Sequence, residues 1–128
     1  MENDIFFMTM AIVNAWRSGH VSKNYSAVIT SKDYDFLKII NIQKNKNVND
    51  CLIALEIFGQ EVDYYESNVY INFVPNASLA KCAQVKEVGR LIYWGKDKDK
   101  CLLEYTSFCT KFNFSLGSVI DLLSIVDK

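Results

Sequence analysis

Apolar residues in this chain fall in blocks with different periods. From Asp4 to Ser18 they lie nearly all round a helical projection: Ile5, Phe6, Phe7, Met8, Met10, Ile12, Val13 and Trp16. Asn3 or Asp4 supplies a cap and Gly19 a stop. A helix without a polar face is expected to be buried on several sides or to lie in an oligomer interface. Val21 to Thr30 is ambiguous, with Tyr25–Thr30 reading as a short strand or a helical turn. Lys32 to Ile42 reads as a helix with Phe36, Leu37, Ile39 and Ile40 inward. An exposed Lys/Asn turn over 43–47 follows, then a helix from Cys51 to Phe58, capped by Asn49 or Asp50 and ended by Gly59.

The period changes after Gln60. Glu61–Tyr65 and Val69–Val74 are β-prone, and Glu66-Ser67-Asn68 between them is turn-like, so an antiparallel hairpin over residues 61–74 is expected. Pro75 stops it. A helix then runs from a cap at Asn76 or Ser78 to about Val88, with Leu91–Trp94 as its last turn or as a separate strand. Gly95–Asp99 reads as an exposed connection. Cys101, Tyr105, Phe108, Cys109 and Phe112 keep a helical period, and Leu116, Val119, Ile120, Leu123 and Val126 form the stripe of a last helix capped by Ser115. The expected fold is therefore helix-rich α+β. It is one compact domain over 1–128, with about five helices and a small antiparallel β element near 61–74, which grows to a sheet of three or four strands if Tyr25–Thr30 and Leu91–Trp94 are strands; the alternative is an all-α bundle.

Composition narrows the class. The chain has 128 residues, half of them apolar, with one Pro and five Gly, which excludes disordered and collagen-like chains. Its net charge of −1 gives no basic footprint for nucleic acid. Lys outnumbers Arg 12 to 2, part of a bias toward A/T-rich codons. The longest apolar run, Ile5–Trp16, is too short to span a bilayer. The opening Met1-Glu2-Asn3-Asp4 lacks the basic start of a secretory leader. A cytoplasmic location is the expectation, with Cys51, Cys82, Cys101 and Cys109 as reduced core thiols.

Catalytic equipment is sparse. His20, the lone histidine, follows Gly19 at a helix end. The cysteines are too far apart for a zinc clip. Asp97-Lys98-Asp99 lacks the Gly and Glu that a calcium loop requires. No phosphate-binding glycine motif or nucleophile elbow occurs. Glu56 and Glu104 read as members of solvated helix faces, and Lys44/Lys46 and Lys96/Lys98/Lys100 as solvated turns. No enzyme activity, cofactor or metal is expected.

One local feature stands out. Glu61, Asp63, Tyr64, Tyr65, Glu66 and Tyr70 place three carboxylates and three tyrosines within ten residues without a Lys or Arg among them. Carboxylates steer a basic partner and tyrosines supply rigid contact area. With these residues as its docking surface, the chain resembles the small immunity proteins of bacterial contact-dependent inhibition and polymorphic-toxin systems. That resemblance implies occlusion of a cognate, positively charged toxin, a basic nuclease in particular, by a monomer or weak homodimer. The competing expectation is a helical adaptor or regulator, of viral type, that self-associates through the first helix. Neither expectation involves nucleic acid or a membrane.

Overall fold

A computed structural model describes residues 2–16, 24–44, 48–94 and 109–111. Their elements are α1 (Glu2–Trp16), β1 (Tyr25–Thr30), β2 (Phe36–Ile42), α2 (Asp50–Phe58), β3 (Asn68–Ile71), α3 (Ala77–Val85), β4 (Arg90–Tyr93) and β5 (Cys109–Lys111). The strands form one mixed sheet in the order β2-β1-β3-β4-β5. β1 runs antiparallel to β2 and β3, whereas β3, β4 and β5 are parallel.

The pleat sorts the core into two layers. Ala27, Ile29, Val69, Ile71, Leu91 and Tyr93 face α2 and α3, where they pack with Ile53, Ile57, Phe58, Leu79 and Ala83. Val28, Tyr70 and Ile92 are direct cross-strand partners, and this row packs under Phe7, Met8, Ala11 and Ile12 of α1. Helices thus cover both faces, and the central strands are apolar on both sides. α1 buries one broad face on the sheet and leaves Phe6 exposed, so its all-round apolar pattern is only partly used in the fold. No helix among the described residues is long and apolar enough to cross a membrane.

Several expectations are corrected. The described residues form three helices and a five-stranded sheet, which overturns both the five-helix reading and the all-α bundle. Phe36–Ile42 is a strand, not the end of a helix. The Ser31 hydroxyl accepts from the Asp33 and Asp35 N–H groups, and Tyr34 adopts φ 67°, so the chain turns back and lays Ile39 beside Val28. The three isoleucines of this segment suit a pleated surface better than a helix. The 61–74 hairpin does not form. Only Asn68–Ile71 is extended, and it pairs with β1 and β4 rather than with its sequence neighbours. The two ambiguous segments are both strands, Tyr25–Thr30 and Arg90–Tyr93. Cys109–Lys111, assigned to a helix by periodicity, pairs with β4. The other residues of that expected helix, and the last expected helix, lie outside the described residues.

Local signals place the remaining helices. The Asn49 side chain accepts from the Leu52 N–H at 3.0 Å, and Asn76 accepts from Leu79 at 2.8 Å. Each asparagine satisfies an amide that the first helical turn leaves open.

Candidate functional site

Two polar assemblies mark one end of the sheet. The first lies beneath α1, where Thr30, Asn68 and Arg90 are adjacent across β1, β3 and β4. Asn68 donates to the Thr30 hydroxyl at 3.3 Å and accepts from Arg90 Nε at 2.8 Å. Arg90 turns its Nη1 and Nη2 onto the Asp4 carboxylate at 3.0 and 2.8 Å, and Nη2 also reaches the Tyr34 hydroxyl at 3.2 Å. The Tyr70 hydroxyl donates to Asp4 as well. Burial pushes the Asp4 carboxyl up, but the hydrogen bonds from Arg90 and Tyr70 and the guanidinium charge outweigh it and hold the group below its ordinary value. Burial, reinforced by the hydrogen bond to Asp4 and its charge, drives the Tyr70 phenol far above its ordinary value. The Asp4 hydrogen bond raises the Arg90 guanidinium further. This assembly ties the first turn of α1 to β3 and β4. Its charges are matched to each other.

The second assembly is the segment between α2 and β3. Glu61, Asp63, Tyr65 and Glu66 are exposed, Tyr65 at 58%. Tyr64 points the other way: its hydroxyl donates to the Ile57 carbonyl at 2.6 Å and accepts from the Gln60 N–H at 3.1 Å, and its ring packs on Phe58. Burial raises its phenol. Tyr70 is fully buried on the opposite side of the sheet, under α1. The six residues expected to form one docking surface are therefore split. Four carry the surface, Tyr64 anchors it from below, and Tyr70 belongs to the other assembly.

The acidic segment is pinned by its backbone. Asp63 Oδ1 accepts from the Tyr65 N–H, and both the N–H and the hydroxyl of Ser67 donate to the Tyr64 carbonyl. The Ser67 carbonyl in turn accepts from Gly89 and Arg90, and the Glu66 N–H donates to the Glu87 carbonyl at 2.8 Å. Gly89 makes this approach possible, because a Cβ there would stand 2.7 Å from the Glu66 carbonyl oxygen. Glu66 and Glu87 both occupy left-handed backbone, at φ 56° and 57°. Glu87 does so as part of a Schellman ending to α3, in which Val88 donates to Ala83 and Glu87 to Gln84. Two glutamates at strained positions thus meet at the same corner. Sequence reasoning found Glu66 but not Glu87, since nothing local signals their pairing.

Charge is distributed unevenly around this corner. Residues 47–80 contain no Lys, Arg or His but carry Asp50, Glu56, Glu61, Asp63 and Glu66. The cations beside this corner are Lys32, 3.5 Å from Glu66 in an exposed pair, and Lys86, over the Tyr64 ring at 5.7 Å.

Cys51 is exposed, which corrects its expected place as a core thiol, whereas Cys82 is partly buried and packs against the core beneath α2 and α3. Among the described residues, no three His, Cys, Asp or Glu side chains converge to hold a metal ion. Glu56 is exposed on α2, and Lys44 lies over the Tyr25 ring at 4.8 Å. His20, Lys46, Cys101, Glu104 and the residues 95–100 lie outside the described residues, as does the side chain of Cys109. In comparison with known proteins, the chain matches no family model and no curated protein.

Proposed function

We propose that this protein is a non-catalytic binding module that neutralises a positively charged protein, in the manner of an immunity protein occluding the active site or substrate surface of a cognate toxin. The observation that carries the reading is the pinned acidic corner. Glu61, Asp63, Tyr65 and Glu66 project from a backbone held by Ser67, Glu87 and Gly89. A surface already fixed before encounter loses little conformational entropy on binding. Its carboxylates speed capture of a basic partner, and an exposed tyrosine is a suitable anchor to slow release.

Self-association through α1 finds less support. Phe7, Met8, Ala11 and Ile12 are buried in the fold against the sheet, which leaves Phe6 as the large apolar side chain that α1 exposes.

The test is capture with the tagged full chain from its source, followed by co-expression. The reading expects one stoichiometric basic protein whose toxicity or nuclease activity disappears when the chain is present. It also expects the Asp63→Lys/Glu66→Lys double variant to lose protection. Protection that persists in the double variant removes the acidic corner from the interface. A captured protein whose activity the chain leaves unchanged overturns the neutralising role.

A further inference from the structure

We infer that the outer face of α2 is a second docking element, and that its occupant is a partner helix whose apolar stripe is flanked by Lys or Arg. The inference rests on the protein-binding reading of the acidic corner and names what lies beside it.

α2 has nine residues, and Ile53, Ala54, Ile57 and Phe58 fill the core beneath it. A surface helix of that kind ordinarily turns polar residues outward. α3, beside it on the same face of the sheet, does so with Lys81, Gln84 and Lys86 next to exposed Val85. α2 instead turns out Cys51, Leu52 and Leu55, with Leu52 at 44% and Leu55 at 67% exposure. Leu52 and Leu55 are three residues apart and share one stripe, the spacing an amphipathic helix would meet.

Charge identifies the occupant. The exposed polar side chains on α2 are Asp50 and Glu56, both acidic. The chain leaving Gly59 continues with Glu61 and Asp63, and the Tyr64 hydroxyl, bonded to Ile57 and Gln60, holds that continuation against the end of α2. Glu56 thus flanks the apolar stripe, Asp50 stands at the start of the helix, and Glu61 and Asp63 follow its end. The neighbouring cations, Lys81 and Lys86, belong to the α3 side, with Lys86 over the Tyr64 ring at 5.7 Å, and acidic groups predominate. A second copy of this face would bring two predominantly acidic surfaces together, which electrostatics opposes. A helix with flanking lysines or arginines is complementary in both shape and sign.

The test uses the full isotope-labelled chain and three synthetic peptides. The first places Leu at i, i+3, i+4 and i+7 with Lys on both flanks. The second scrambles that composition so that no stripe exists, and the third replaces every Lys by Glu. The inference expects the first peptide alone to give saturable shifts at the Leu52, Leu55 and Glu56 amides. Leu55→Ser and Glu56→Gln, both at exposed positions, should each weaken binding roughly tenfold. Unchanged amide shifts elsewhere would confirm that the variants fold.

Equal binding of the scrambled peptide would overturn the inference in favour of nonspecific charge attraction. Absence of shifts on α2 would also overturn it. A concentration-dependent dimer that Leu55→Ser dissociates would overturn it in favour of a second copy. Failure here, with Asp63→Lys/Glu66→Lys still abolishing protection, removes α2 from the interface and leaves the acidic corner standing. Peptide binding on α2 with protection unaffected by the double variant has the opposite meaning.

Discussion

Asp4 and Arg90 are 86 positions apart in sequence, yet their side chains meet through two hydrogen bonds that fasten the first turn of α1 to β4. The Asp4 side chain is 15% exposed and that of Arg90 36%. Removing the carboxylate therefore leaves a partly buried guanidinium and the Tyr70 hydroxyl short of an acceptor. Asp4→Ala should cost roughly 1–3 kcal/mol at neutral pH. The folded carboxyl lies below its ordinary value, so its contribution is present above about pH 4 and is lost as pH falls through the lower folded value. Urea unfolding of both proteins at neutral and acid pH checks this. The gap between them should narrow in acid.

Tyr64 and Tyr70 should ionise late, because burial raises both phenols. A raised pKa contributes stability below the ordinary phenol value of about 10, and that contribution fades as pH rises toward the folded values. An ultraviolet titration should show a late phase coincident with unfolding. Tyr70→Phe should reduce that phase and cost about 1 kcal/mol.

The corner where Glu66 meets Glu87 allows opposite effects from two glycine exchanges. Glu87→Gly relieves left-handed backbone at the end of α3 and should stabilise by about 1 kcal/mol. Gly89→Ala drives a Cβ into the Glu66 carbonyl and should destabilise by roughly 1–3 kcal/mol. Thermal unfolding measures both. Faster exchange of the Glu66 amide in Gly89→Ala would show that the acidic corner has loosened.

The Asp63→Lys/Glu66→Lys double variant gives up the bond from the Tyr65 N–H to Asp63 and the solvent-screened Lys32–Glu66 pair, both at exposed positions, so it should keep the fold at a cost of no more than about 1 kcal/mol. Any loss of partner capture would then be a surface effect. A cooperative unfolding curve whose midpoint moves by no more than that cost is the control.

Cys51 should react with a thiol reagent in the native protein, whereas partly buried Cys82 should react more slowly. Mass spectrometry of the labelled peptides separates the two. Protection of Cys51 by the Leu/Lys peptide would be expected if that peptide seats on α2.

The residues of the candidate site were legible in sequence only as a composition. Glu61, Asp63, Tyr65 and Glu66 are exposed as a charged segment should be. No local pattern separates Tyr64 from Tyr65, which differ because Tyr64 finds the Ile57 carbonyl and Tyr65 faces solvent. Tyr70 left the expected surface because β3 alternates its side chains, and the α1 side of the sheet supplied Asp4 as an acceptor.

By itself, the chain's order of residues determined what short-range physics controls: the all-round apolar character of α1, the asparagine caps of α2 and α3, and the stop at Gly59. Tertiary structure alone decided that Phe36–Ile42 is a strand, that Asn68–Ile71 joins β1 and β4 instead of a hairpin, and that Asp4 meets Arg90. The reason is that a helix cap closes within a few residues, whereas a strand's hydrogen bonds and a buried ion pair are completed by partners distant along the chain.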